Sequence, residues 1–278
     1  MFSGRQLVIA TQHDKEKVIA PILEKELGVQ CLIPSGFNTD LLGTFTGEIE
    51  RNLDPLSTAR EKCLRAMEVT GCDLGVASEG SFGPHPEMVF APADGELLIF
   101  IDKKQNLEIV ARKLSTVTNF SGQQVRNEQE LMDFARKAQF PSHALILRPG
   151  KNAATDIVKG IVNEADLRAA YDTLFARYGS VFVETDMRAM YNPMRMQVIE
   201  QATQLLAAKM VSLCPKCRTP GFSVTDAKQG LPCGLCDMPT RSTLSYIYVC
   251  KHCRHEKEEQ FPHGKTTEDP TYCDYCNP

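Results

Sequence analysis

Eight cysteines in four Cys-x-x-Cys pairs occupy the last 65 residues of this 278-residue chain, and no other feature constrains its fold as strongly. The pairs are Cys214/Cys217, Cys233/Cys236, Cys250/Cys253 and Cys273/Cys276, with gaps of 15, 13 and 19 residues between them. Zn²⁺ favours four thiolates in a tetrahedron, and one CxxC turn presents two sulfurs to one ion. Four such turns therefore make two closed sites. Residues 213–278 read as a zinc-ribbon-like module with two structural zinc ions, because an all-cysteine site keeps no open position for water or substrate. An iron–sulfur cluster or a redox dithiol is the alternative. Cys214-Pro-Lys-Cys-Arg-Thr-Pro and Cys233-Gly-Leu-Cys-Asp-Met-Pro share the form CxxCxxP, like two facing knuckles. Residues 243–249 are β-rich, and 256–261 can return antiparallel before the fourth pair. This favours sequential pairing, first with second and third with fourth; a cross-braced arrangement is the alternative. His252, His255 and His263 lie nearby and read as surface residues.

Charge narrows the function classes. Thirty-one Lys and Arg face 35 Asp and Glu, a formal charge of −4. That excludes a generally basic nucleic-acid binder held by phosphate neutralisation. From Val211 onward the basic and acidic residues balance at eight each. Two zinc ions and eight thiolates would bring this tail to about −4. Zinc modules that grip nucleic acid usually carry a basic surplus, so a nucleic-acid partner is disfavoured. No stretch approaches the 18 or more apolar residues of a membrane span. The short apolar run Leu7-Val8-Ile9-Ala10 meets His13, Asp14, Lys15 and Glu16 at once, so no signal peptide is expected. The expected compartment is the cytoplasm, where repeated CxxC pairs read as metal ligands rather than disulfides.

Ahead of the tail, strand and helix patterns alternate. Residues 6–11 read as a buried strand and 13–28 as a helix that Asp14 can cap and Gly28 stops, with Pro21 awkward inside it. Residues 29–33 read as a second strand and 34–54 as a long loop. Asp54-Pro55 starts a helix to about residue 69, and 72–77 is a buried strand. Residues 78–86 (SEGSFGPHP) read as a rigid Gly/Pro turn. Residues 96–102 and 107–116 suit a hairpin. Helices are expected at 128–138, 164–178 and from Asn192-Pro193 to about 213, and strands at 143–148, 156–162 and 180–184. The predicted fold class is α/β: a mixed sheet flanked by helices over residues 1–212, then the small Cys-rich module over 213–278. Cys31, Cys63 and Cys72 lie on apolar segments and read as core residues.

Three post-strand loops are candidates for chemistry, since α/β sheets place their ligand crevice at such ends. In the first, Thr11, His13, Lys15 and Lys17 at a helix start could hold a phosphate; a solvated helix start is the plain alternative. In the second, residues 35–51, Asp40, Thr44, Thr46 and Glu48 suit Mg²⁺ or a phosphorylated substrate; a surface loop is the alternative. In the third, Glu79 could be a general base or Mg²⁺ ligand and His85 a proton carrier, with Ser81 between them; a structural turn is the alternative. A lesser fourth candidate is Glu184-Thr185-Asp186-Met187-Arg188, where an ion pair pinning the last helix is equally consistent with the residues.

At ATQHDKEKVIAPILEKELG, TDLLGTFTGE, ASEGSFGPHP, ETDMRAMYNP and the closing CxxCNP, the chain resembles one specific uncharacterised bacterial family, a domain of unknown function. That resemblance spans nearly the whole chain and implies no activity. Residues 6–120 are also similar to the inosine/xanthosine triphosphate pyrophosphatases. The likeness lies in the order strand, Thr11-x-His13, helix, strand, Ser35-Gly36, loop, helix, Cys72-Asp73, strand, Glu79-Gly80, hairpin. It implies Mg²⁺-dependent hydrolysis of noncanonical purine nucleoside triphosphates. His13 stands where that family has Asn, and Lys15 or Lys17 is out of step by one. Two functions follow as expectations. In one, the α/β part binds or hydrolyses a phosphorylated small molecule, with Mg²⁺ at Glu48 or Glu79. In the other, the chain is a non-enzymatic adaptor whose zinc module meets a protein partner.

Overall fold

The computed structural model describes residues 1–36 and 53–278. The chain divides into two compact units, Met1–Ala207 and Ala208–Pro278. Among the described residues no helix is long and apolar enough to cross a membrane.

The first unit holds two sheets, each with its own core. One combines β1 (Gln6–Ala10), β2 (Gln30–Leu32), β3 (Leu74–Pro84), β4 (Pro92–Asp102) and β5 (Leu107–Ser115), in the order β2-β1-β3-β4-β5. The β1/β2 and β1/β3 pairs are parallel; β3/β4 and β4/β5 are antiparallel. The sheet is mixed, as expected. Helices α1 (Glu16–Leu27) and α2 (Pro55–Thr70) connect its parallel strands. The second sheet is wholly antiparallel: β6 (Gly122–Val125), β7 (Leu145–Arg148), β8 (Val158–Ile161) and β9 (Val181–Thr185), in the order β6-β9-β7-β8. It packs against α3 (Glu128–Lys137) and α4 (Glu164–Tyr178), with Leu131, Phe134, Leu145, Leu167, Leu174 and Val183 in the core. α5 (Pro193–Val211) follows.

Local chemistry explains most boundaries. Asp54 caps α2 by accepting from the Leu56 and Ser57 N–H groups at 3.0 and 3.2 Å, with Pro55 at the first helical position. Such a cap stabilises by about 1 kcal/mol. Gly28 ends α1 at φ +66°, and a Cβ there would lie 2.9 Å from Ser3 Oγ. Two expectations fail. Asp14 does not cap α1: His13 and Asp14 both adopt left-handed φ (+69° and +63°), the helix starts at Glu16, and Asp14 instead accepts from Lys17 Nζ at 2.6 Å. Residues 78–86 are not a turn for most of their length: β3 runs on to Pro84, paired residue for residue with β4. Antiparallel pairing with a long neighbour outweighs the breaker tendency of Gly80, Gly83 and Pro84 at this edge. Cys63 and Cys72 are buried as expected, while Cys31 is only half-buried.

The second unit is a three-stranded antiparallel sheet, β10 (Val224–Gln229), β11 (Thr243–Val249) and β12 (Glu256–Gln260), in chain order. The antiparallel return from β11 to β12 is as expected. β10 is not foreseen by the sequence, because every residue of VTDAKQ is exposed and shows no apolar alternation.

Candidate metal centres and a buried charge cluster

All four CxxC turns of the second unit close in one way. The N–H of the residue after the second cysteine donates to the carbonyl of the first: Arg218 to Cys214, Asp237 to Cys233, Arg254 to Cys250 and Asn277 to Cys273, at 2.9–3.0 Å. In the first three, the cysteine N–H also donates to a carbonyl five residues on, in Thr219, Met238 and His255. Arg218, Asp237 and Arg254 take left-handed φ of 54–62° to allow this. The turn aims both sulfurs of a pair to one side.

The eight sulfurs form two groups. One is Cys214, Cys217, Cys250 and Cys253; the other is Cys233, Cys236, Cys273 and Cys276. Within each group the ligand atoms lie within 4.8 Å of one another. Sulfur pairs across turns are 3.7 Å (Cys214/Cys253), 3.6 Å (Cys217/Cys250), 3.8 Å (Cys233/Cys276) and 3.7 Å (Cys236/Cys273). A tetrahedron with metal–sulfur bonds of about 2.3 Å has edges of about 3.8 Å. A disulfide would need about 2.05 Å. A four-iron cluster places each thiolate on a different iron and spreads the sulfurs further. The donor set and spacing fit one tetrahedral ion per group.

The pairing is crossed, first with third and second with fourth, which corrects the sequential expectation. The cause is β10. Its start pairs with the end of β11, Val224 opposite Tyr248, so the first knuckle meets the third in the β11–β12 turn. The second knuckle lies at the opposite end of the sheet, where β12 finishes with Gln260 opposite Ser245. There, Gly234 N–H donates to Glu268 O and Glu268 N–H to Pro232 O, drawing the fourth knuckle's segment against the second. With seven residues in β11, the two centres sit roughly 20 Å apart along the strand. His255 stacks on Phe222, and His263 meets the Tyr246 hydroxyl at 3.1 Å; neither belongs to a cysteine group.

In the first unit, charge collects where the parallel strands end. β1 stops at Ala10, opposite Ala77. β3 runs on past that point, so Ser78, Glu79 and Gly80 stand beyond the carboxyl end of β1. The connection from β1 runs to β2 on one side of it, and the chain then crosses to β3 on the other side. Open α/β sheets bind ligands in the crevice at such a switch point.

Lys15, at the start of α1, is buried there, and its Nζ donates to Ser78 Oγ at 3.0 Å. Among the described residues no carboxylate comes within ion-pair reach of it. Burial, then the Arg195 charge, push the Lys15 ammonium down to about 8. Lys62 of α2 pairs with Glu79 at 2.5 Å, both side chains nearly buried. On the neighbouring strand, Glu96 lies opposite Gly80 and binds Arg195 of α5, Nε to Oε1 at 2.7 Å, with both side chains fully buried. The Arg195 guanidinium also donates to Met187 O and lies 5.0 Å above the Phe82 ring. A Cβ on Gly80 would sit 2.6 Å from Glu96 Oε1 and press on that guanidinium, so the glycine makes room for the pair. Asp94, two residues before Glu96 and so on the same face of β4, is fully buried, and among the described residues neither carboxyl oxygen has a hydrogen-bond partner. Burial and then the Glu96 charge push it up to about 7.

The other predicted residues are placed as follows. Thr11 is buried and donates to Gln12 O at 2.8 Å. His13 sits in the left-handed bend before Lys15. Lys17 is exposed and pairs with Asp14. Ser81 is exposed and reaches Gly95 O at 3.4 Å. His85 does not join Glu79: it lies six residues further along an extended strand, roughly 20 Å away, where its Nδ1 accepts from the Glu87 and Met88 N–H groups. The expected turn would have folded them together; the strand separates them. Asp40, Thr44, Thr46 and Glu48 lie outside the described residues. In the fourth loop, Asp186 pairs with Arg188 at 2.6 Å, while Glu184 pairs with Arg148.

The sequence reading misses Lys62, Asp94, Glu96 and Arg195. A signal existed for two of them. Lys62 falls on the buried helical face of Ala59, Cys63 and Ala66, and Arg195 on that of Val198, Ile199 and Ala202. A cation within an apolar stripe asks for a buried partner.

Asp94 gives stability a pH dependence of definite sign. The folded chain keeps its proton up to about pH 7, whereas its ordinary value is 3.8. Stability therefore falls as pH rises between about 4 and 7. Lys15, which sheds its proton near 8 in the fold against an ordinary 10.5, makes stability climb between those values. Glu96, Arg195 and Lys15 are the charges acting on Asp94. Asp94→Asn is expected to flatten the fall below pH 7, read from urea midpoints across pH; an unaltered slope would contradict the assignment.

A family described as domain of unknown function (DUF6671) matches residues 62–278. No curated protein and no solved structure matches the chain. Neither comparison shows the likeness to triphosphate pyrophosphatases.

Proposed function

We propose that this chain, which belongs to the DUF6671 family, is a zinc protein whose first unit binds a phosphorylated small molecule in the crevice beyond β1. The matched stretch includes Lys62, Glu79, Asp94, Glu96, Arg195 and all eight cysteines. Zinc is the ion that closed all-thiolate tetrahedra of this size serve, and its role is structural. Elemental analysis of the purified chain tests this: two zinc per chain supports it, and iron or a single equivalent contradicts it.

The observation that carries the ligand site is Lys15. A buried ammonium with a hydroxyl partner and, among the described residues, no carboxylate within ion-pair reach is costly to the fold. It stands where the start of α1 and the switch-point crevice coincide, which suits an anion. Asp94, whose carboxyl burial pushes up and which the Lys15 charge reaches, is the group proposed to handle a proton, and hydrolysis of a phosphoanhydride is the proposed reaction. Mg²⁺ would accompany such a substrate.

Lys15→Met separates this role from a structural one. Removing a buried charge of similar volume is expected to raise stability by about 1–2 kcal/mol. Binding of pyrophosphate, adenosine triphosphate or inosine triphosphate, with and without Mg²⁺, is expected to weaken by at least roughly tenfold. Calorimetry and phosphate release read the two effects. No binding of any of these to the wild-type chain, or unchanged binding in the variant, would overturn the reading.

A second reading has its own observation. The two knuckles of the Cys233/Cys236/Cys273/Cys276 centre carry Leu235 at 73% exposure and Tyr275 at 66%, with Tyr272 beside them at 67%. Apolar side chains presented on a rigid metal knuckle suit a protein partner. A partner recovered with wild type and lost with Leu235→Asp/Tyr275→Asp at intact metal content supports it; identical recovery contradicts it.

A further inference from the structure

The antiparallel sheet of the first unit carries a cavity of about 650 Å³, lined among others by Phe120, Arg148, Lys151, Asn152, Phe182 and Glu184. This volume lies in the range of small-molecule sites. None of these residues belongs to the Lys15 crevice.

The cavity is built rather than incidental. Arg148 ends β7 and is 5% exposed. Its guanidinium donates to Glu184 and to Ala153 O, and among the described residues its Nε has no hydrogen-bond partner. A guanidinium offers five N–H donors in a planar fork, so two acceptors leave it short. Its register partner is Phe182 of β9. Across from β9, Gly122 of β6 lies opposite Glu184, and a Cβ there would come within 2.8 Å of the Phe182 ring. The glycine thus lets that ring lie across the strand as a cavity wall. Phe120 supplies a second aromatic surface.

Charge sets the sign of the ligand. Arg148 and Lys151 outweigh Glu184, whose carboxyl burial pushes up from its ordinary value. A guanidinium fork with an exposed ammonium at the rim matches a carboxylate or phosphate. The two phenyl rings match a flat apolar body.

We propose that this cavity binds a small anion built on an aromatic or heterocyclic ring. Arg148 and Lys151 take the anionic group, and Phe120 and Phe182 flank the ring. The shared chemistry is a ring bearing one anionic group, and the probes distinguish its two forms: indole-3-carboxylate and adenosine 5′-monophosphate. Inorganic phosphate and uncharged indole serve as the separate halves.

Titration of the full chain is followed by calorimetry and by amide shifts of Gly122, Lys151 and Asn152. At least one ring anion is expected to bind at millimolar concentration or below and to move these amides, roughly tenfold or more tightly than either half. Lys151→Glu, a rim change that leaves the core intact, is expected to weaken it by roughly tenfold, and Phe120→Ala to lower affinity in parallel. Lys15→Met leaves the shifts of the Gly122, Lys151 and Asn152 amides unchanged, which keeps this site apart from the crevice. The proposal is overturned if no ring anion moves these amides in the wild-type chain, if Lys151→Glu binds equally well, or if Lys15→Met abolishes the shifts.

Discussion

Chelation of the metal is expected to unfold the second unit while the first stays folded. The reason is the poverty of its core. Besides the buried Met210, Leu231 and Ile247, its buried apolar cluster consists of Cys214, Phe222 and Cys250, with Cys217, Tyr248 and Cys253 partly buried around it. Four of the six residues in that cluster are the cysteines themselves. β10 is exposed throughout, and β12 is almost entirely so. So small a unit cannot outweigh chain entropy by burial alone. Structural zinc contributes roughly 10–16 kcal/mol of apparent binding free energy at neutral pH, which in such modules is folding free energy. A strong chelator should therefore collapse the amide resonances of 208–278 to unfolded positions and leave those of β1–β9 in place. Cys217→Ser and Cys276→Ser should each remove one metal equivalent, from opposite ends of the sheet. A second unit that keeps its dispersed spectrum without metal would refute this account of its stability.

Arg195→Met should be the most damaging single change in the first unit. It leaves Glu96 buried and unpaired beside Asp94, and breaking a buried pair from one side costs about 3–5 kcal/mol. Pairing it with Glu96→Leu should recover much of the loss, because the orphaned charge is then gone. The two effects are thus strongly non-additive. Gly80→Ala, which pushes a methyl into the same pair, should fall between wild type and Arg195→Met. Urea midpoints at constant slope measure Arg195→Met, Glu96→Leu, their combination and Gly80→Ala. Additive losses in the double variant would show that the pair is not the source of the cost.

These expectations rest on residues that the sequence reveals unevenly. The metal chemistry is legible because a CxxC turn is a local object: two sulfurs three residues apart, aimed by one backbone hydrogen bond. The pairing is not legible, because it depends on which strand ends meet. That is decided by β10, a strand held by its neighbour rather than by any pattern of its own. The same contrast holds in the first unit. The helix start at Asp54-Pro55 and the stop at Gly28 are written in local chemistry. Ser78–Pro84 carries turn residues, yet tertiary pairing with β4 makes it a strand, and His85 is thereby removed from Glu79. Lys15 and Glu79 are found from their post-strand positions. Glu96 and Asp94 escape notice because their meaning comes from Arg195, 99 residues further on from Glu96.

Cadmium substitution distinguishes the crossed pairing of the knuckles from a sequential one. In a chain loaded with ¹¹³Cd, scalar couplings link each ion to the β-protons of its own cysteines. Two tetrathiolate resonances are expected, one coupled to Cys214, Cys217, Cys250 and Cys253, the other to Cys233, Cys236, Cys273 and Cys276. Coupling of one ion to Cys214, Cys217, Cys233 and Cys236 would contradict the crossed pairing.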